Sequence, residues 1–150
     1  MVDLPAAARR VQEALTAAGL AIAVVETGES ARTAEEAAAA VGAPVAAIVK
    51  SLVFEREGEP VLLLVSGANR VDAKRLGLSR ADADRVRDVT GFAIGGIPPL
   101  GHAHPIEILM DEDLLLHDTV WAAAGTPRHV FPVSPHDLRR VAGAVVLRVA

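Results

Sequence analysis

The stretch Ala47-Ile48-Val49-Lys50-Ser51-Leu52-Val53-Phe54, followed by Glu57-Gly58-Glu59-Pro60 and Val61-Leu62-Leu63-Leu64-Val65, decides the fold class. Two apolar runs, Val45 to Phe54 and Val61 to Val65, flank a short polar segment with a glycine. That spacing predicts two antiparallel strands joined as a hairpin. Alternation along the first strand puts Ile48, Lys50, Leu52 and Phe54 on one face. A lysine on an apolar face is costly to desolvate and calls for a partner. One reading makes Lys50 a cation facing a pocket, ready for a phosphate, a carboxylate or a developing oxyanion. The other makes it a guard on an edge strand against aggregation.

Outward from the hairpin, strands and helices are interspersed. Residues 5–18 read as an amphipathic helix, with Pro5 at its start and Gly19 at its end. Residues 21–26 suit a short strand. Thr33 and Glu36 form a capping-box signature before an Ala-rich helix that stops at Gly42. Short helices are expected at 71–76 and after Ser79, which is taken as the cap with Asp82 three residues on. A brief strand at 106–110 leads into a helical turn at 111–115. Strands at 120–124 and 130–133 flank the Gly125-Thr126-Pro127 turn. Ser134 caps a last helix to about Val141, and 144–149 closes the chain as a strand. No regular βαβ repetition appears. The expected fold is α+β: one domain over residues 1–150, with a mixed, largely antiparallel sheet, curved or barrel-like, surrounded by helices.

Composition narrows the chemistry. Hydrophobic residues make up 51% of the chain, enough for a real core. With no cysteine and no tyrosine, thiolates, disulfides and phenols are excluded as working groups. The net charge of −4 argues against a protein that grips long stretches of nucleic acid. No apolar run reaches the roughly 18 residues that span a bilayer, and no signal peptide is read at the start. A cytoplasmic location is expected. Of 15 basic residues only Lys50 and Lys74 are lysine, so a retained ammonium marks a place where arginine does not serve.

Three further constellations carry chemistry. The run from Gly91 to His102 holds Gly95-Gly96-Ile97-Pro98-Pro99-Leu100-Gly101, a loop able to present fixed backbone groups to a ligand. No Gly-Lys-Ser/Thr follows, so it is no phosphate loop; the alternative is a structural turn between strands. His102 and His104 have spacing that would suit a metal on a strand, but Gly101 and Pro105 flank them, and no metal site is expected. Ser51, Ser66, Ser79 and Ser134 lie in no Gly-x-Ser-x-Gly elbow, so a nucleophilic serine is not expected.

Taken together, Ala47-Ile48-Val49-Lys50-Ser51-Leu52, the Gly95–Gly101 loop, and Ala123-Ala124-Gly125-Thr126 before the last helix resemble the YbaK/ProX family. These are aminoacyl-tRNA deacylases related to the editing domain inserted in bacterial prolyl-tRNA synthetase. The resemblance covers nearly the whole chain. It implies a pocket for the 3′ end of tRNA, with Lys50 the residue tied most closely to activity and Gly95–Pro99 the pocket loop. His129 resembles the family's pocket histidine near a Gly turn. Ser51, Asn69, Ile97, Pro98, Pro99, Gly101, Asp118, Gly125 and Thr126 are further substrate-contact candidates. The implied reaction is trans-editing: water hydrolyses the ester of a small amino acid such as Ala, Ser or Cys, on tRNA-Pro, with no covalent enzyme intermediate. An aminoacyl ester is already activated, and the neighbouring ribose hydroxyl can orient water, so positioning and electrostatics suffice. Lys50 would bind the phosphate or ribose end, or steady charge on the carbonyl. Gly95 and Gly96 would hold the carbonyl region and water through backbone groups. His129 would restrict side-chain size. The expected partners are the tRNA acceptor end and a synthetase or elongation factor, with no cofactor, DNA or membrane. A binding module for aminoacyl-tRNA ends or nucleotides, without turnover, is the alternative.

Overall fold

The computed structural model describes residues 3–150; Met1 and Val2, part of the domain expected over 1–150, lie outside the described residues. The chain runs α1 (Ala6–Ala17), β1 (Val25–Glu26), α2 (Ala34–Val41), a 3-10 turn (Val45–Ala47), β2 (Val49–Arg56) and β3 (Glu59–Ser66). It continues with α3 (Ala73–Leu76), β4 (Ser79–Arg80), α4 (Ala83–Thr90), β5 (Glu107–Asp111) and a second 3-10 turn (Glu112–Leu116). The last elements are β6 (Val120–Ala123), β7 (His129–Val133), α5 (Pro135–Ala142) and β8 (Val145–Leu147).

The hairpin is in register from Val49↔Ser66 to Arg56↔Glu59. Its turn is only two residues, Glu57 and Gly58, with φ of 55° and 81°. Positive φ at both positions gives a turn whose twist matches the strands. Glu59 and Pro60 therefore belong to β3, not to the turn.

The strands form two sheets, ordered β4-β2-β3-β5-β8 and β1-β7-β6. Pairings β2–β3, β2–β4, β1–β7 and β6–β7 are antiparallel, whereas β3–β5 and β5–β8 are parallel. The fold is thus a mixed, largely antiparallel α+β domain. It is not a closed barrel: among the described residues a single parallel bridge, Ile48↔Trp121, links the two sheets through the backbone. β3 is central in the larger sheet and covered on both faces, which explains its unbroken apolar run. Leu62 and Leu64 face the main core with Val11 and Leu15 of α1, Phe131 of β7 and Leu138 of α5. Val61, Leu63 and Val65 face a smaller cluster with Leu109 and Val149.

Local deviations from the sequence reading have identifiable causes. The strand expected at 21–26 ladders only at Val25 and Glu26. Before them the Gln12 side chain substitutes for a partner strand: its amide donates to the Ile22 carbonyl (2.8 Å) and accepts from Val24 N–H (2.8 Å). Ser79 is not a helix cap. It pairs with Glu55 in β4, and Asp82 caps α4 by accepting from Arg85 N–H at 2.8 Å. The Thr33–Glu36 capping box, the Ser134 cap and the glycine end at Gly42 form as expected, and Gly143 ends α5.

Candidate active site

The first half of β2 is flanked by β3 on one side only, because β4 pairs with Phe54 and Glu55 alone. Beside that open half the smaller sheet diverges from its single bridge. The result is a cavity of about 740 Å³. Its walls come from β2, the start of α2, the 67–70 turn, the glycine loop and strands β6 and β7.

Lys50 lines this cavity, as do its neighbours Ile48, Val49, Ser51 and Leu52 from both faces of the strand. It is half-buried, and its ammonium donates to the backbone carbonyl of Asn69. Burial pushes its pKa below the ordinary lysine value; the Glu35 carboxylate opposes this, Arg70 adds to it, and Asp111 opposes it. Ser51 Oγ, also at the cavity wall, is buried without a hydrogen-bond partner among the described residues. Such a hydroxyl is completed by an ordered water or by a ligand.

Asn69 projects from the turn after β3. Its side-chain amide donates to Asp111 Oδ2 (2.8 Å) and to Asp113 Oδ2 (2.8 Å). Asp111 is only 1% exposed. Its carboxylate also accepts from Ser66 N–H (3.0 Å) and Asp113 N–H (3.0 Å), so the buried charge is well satisfied.

Across the cavity, His129 opens β7 and is 6% exposed. Its Nδ1 lies 2.6 Å from Thr126 Oγ1, which also accepts from Arg128 N–H at 3.1 Å. The hydroxyl thus fixes the imidazole plane while both residues line the cavity. Gly95 lines it as well, with φ of 100°, a conformation side chains rarely adopt. Gly96 does not. Its N–H donates to Ala93 C=O at 3.2 Å, and a Cβ there would lie 2.8 Å from Gly125 C and O and from Thr126 Cα. Gly125 in turn stacks on α1, where an added Cβ would meet Ala7 O at 2.6 Å. Loop, turn and helix start are three backbones in contact with no side chain between them.

The structure therefore brings Lys50, Ser51, Asn69, Gly95, Ile97, Thr126 and His129 to one cavity. Pro98, buried, presents its carbonyl to His102 Nε2 at 2.7 Å. Burial lowers the His102 pKa, and the Pro98 carbonyl partly opposes this. Pro99 and Gly101 line a separate, smaller recess with His102 and His104. Asp118 is exposed and away from the cavity, and Gly125 lies behind its wall. Sequence reasoning missed Arg32, Glu35 and Arg70 at the cavity and Asp111 beneath it. Arg32 is hidden beside the capping box, and Arg70 beside Asn69. Asp111 has a local signal only as the cap of a helical turn.

The cavity thus holds a half-buried lysine from one sheet and a histidine fixed by a turn hydroxyl from the other. The family description "aminoacyl-tRNA editing domain" matches residues 28–141, and the chain belongs to that family. Among individual proteins, YwhH of Bacillus subtilis (strain 168) is 33% identical over 122 residues, covering 77% of this chain and 78% of that protein. The proline–tRNA ligase of Oleidesulfovibrio alaskensis is 32% identical over 124 residues; the match covers 78% of this chain and only 22% of the ligase. A solved structure described as a proposed trans-editing enzyme for prolyl tRNA synthetase is 49% identical, with a TM-score of 0.91 over 98% of both chains. No helix among the described residues is long and apolar enough to cross a membrane.

Proposed function

We propose that this chain, acting over residues 1–150, hydrolyses the ester bond of mischarged aminoacyl-tRNA in trans. The observation that carries the reading is Lys50: a half-buried ammonium, tethered on one side only, at the wall of a cavity between two sheets. Membership of the editing family and the likeness to the proposed trans-editing enzyme support it. An ester carbonyl seated against Lys50 would find its developing negative charge stabilised without a protein nucleophile. Gly95 would offer backbone groups to the carbonyl region, and the unpartnered Ser51 hydroxyl is free to take a ribose or amino group. His129, Ile97, Ala122 and Val130 would bound the amino-acid side chain and favour small ones such as Ala, Ser or Cys. The site would receive the acceptor end alone, with a synthetase or elongation factor holding the rest of the tRNA.

The test is release of amino acid from tRNA-Pro charged with Ala, Ser or Cys. Turnover of at least one supports the reading. Saturable binding of an uncleavable 3′-aminoacyl-adenosine, with ester substrates left intact, would instead make the protein a binding module.

Arg32 and Arg70 line the same cavity, are exposed, and make no ion pair among the described residues. In an acidic chain they are placed to meet the phosphates of the incoming 3′ end. Replacing either by alanine should raise KM for charged tRNA. It should also lower the dependence of log KM on log salt by about 0.7 each. Hydrolysis of a phosphate-free 3′-aminoacyl-adenosine should be unaffected. Equal loss on both substrates would count against phosphate contact.

A further inference from the structure

Lys50 is held by a device that its own strand does not contain. The ammonium has three N–H donors, and one is given to the Asn69 carbonyl. That carbonyl belongs to the 66–69 turn, closed by the Asn69 N–H donating to Ser66 C=O at 2.9 Å. A single carboxylate oxygen, Asp111 Oδ2, accepts from both ends of this turn: Ser66 N–H at 3.0 Å and the Asn69 side chain at 2.8 Å. Asp111 is 1% exposed and sits in β5, two strands away from Lys50. A buried carboxylate is costly to retain unless its geometry does something an apolar residue does not.

We propose that Asp111 and Asn69 are positioning residues for Lys50. Asp111 fixes the turn, the turn aims the Asn69 carbonyl, and that carbonyl takes one ammonium N–H so that the other two are directed to substrate. This rests on the cavity being the deacylase site proposed above. The Asn69 side chain then acts from below, through its own backbone, rather than by touching substrate.

The experiment compares Asn69→Ala and Asp111→Asn, each made in the wild-type chain and in a Lys50→Ala chain. Asn69→Ala should lower kcat about tenfold, as expected for one hydrogen bond to a charged group, with KM little changed. In the Lys50→Ala chain it should cost nothing more. A further loss of similar size there would overturn the proposal, because the residue would then act on substrate or fold directly. The second readout needs no turnover: the pH at which the Lys50 amine becomes reactive to a small acylating reagent, followed by mass spectrometry. Both variants should lower that pH, since the ammonium loses an aimed acceptor, and Asp111→Asn also removes a nearby negative charge. An unchanged midpoint in Asn69→Ala overturns the proposal whatever Asp111→Asn does, since loss of the Asp111 charge alone lowers the midpoint. A lowered midpoint in a protein that hydrolyses no charged tRNA would sink the deacylase reading and leave the positioning intact. Should Asp111→Asn fail to fold, Asn69→Ala, at a half-buried turn position, carries both readouts.

Discussion

Lys50→Ala is expected to lower kcat/KM for ester hydrolysis by about 10²–10³-fold, the usual loss when one preorganised charge-stabilising donor is removed. Thermal stability should hold within a few degrees of wild type. The side chain is half-buried and tethered at one point, and burial of its charge opposes folding, so deletion removes a cost along with a contact. Retained activity in a folded Lys50→Ala protein would sink the assignment. The pH profile gives an independent check. On the proposed mechanism the working form is the ammonium, present below the Lys50 pKa and lost above it. Because burial holds that pKa below the ordinary lysine value, activity above the uncatalysed rate should decline earlier on the alkaline side than for an exposed lysine. Lys50→Arg keeps its charge to higher pH, so any activity it retains should lose this alkaline decline.

Gly96→Ala is the second large effect. The added Cβ would lie 2.8 Å from the Gly125 C and O atoms and the Thr126 Cα, all backbone atoms that no rotamer change can move aside. The glycine loop must therefore separate from the turn that carries Thr126 and leads to His129. Overpacking of this kind costs about 1–3 kcal/mol, a Tm fall of roughly 2–12 °C. The displacement also shifts Gly95 and Thr126, both of which line the cavity, so kcat/KM should fall by about 10–100-fold. A variant with wild-type Tm and turnover would show that the seam is looser than drawn.

Much of this architecture is legible in the sequence wherever a signal is local. The alternation at 48–54 names the face of Lys50, and the Thr33–Glu36 and Ser134 caps mark helix starts because capping uses neighbours three residues on. The signals fail where two residues satisfy the same local rule. Ser79 and Asp82 can both cap, and only pairing of Ser79 with Glu55 decides between them. They fail again where the partner is remote. Residues 21–24 look like a strand because they are extended, yet their bonds go to Gln12, which sequence pattern does not link to them. The site divides along the same line. Lys50 and Gly95 are conspicuous by residue type and setting, whereas His129 enters only through the family resemblance. Asp111 is not conspicuous, since its partners at Ser66 and Asn69 are 45 and 42 residues away.

The single bridge between the two sheets has a consequence for how such a domain can change. Lys50 and the Asp111–Asn69 support belong to the larger sheet and its turn, whereas His129, Val130 and Ala122 belong to the smaller one. Ile48↔Trp121 is the one backbone bridge between them among the described residues, and elsewhere they meet through core side chains, so substitutions in that packing can alter the width of the gap without breaking either ladder. On the proposed assignment, reactivity and selectivity sit on different sheets: substitutions in β6 and β7 should change which amino acid fits while the cation and its anchorage stay as they are.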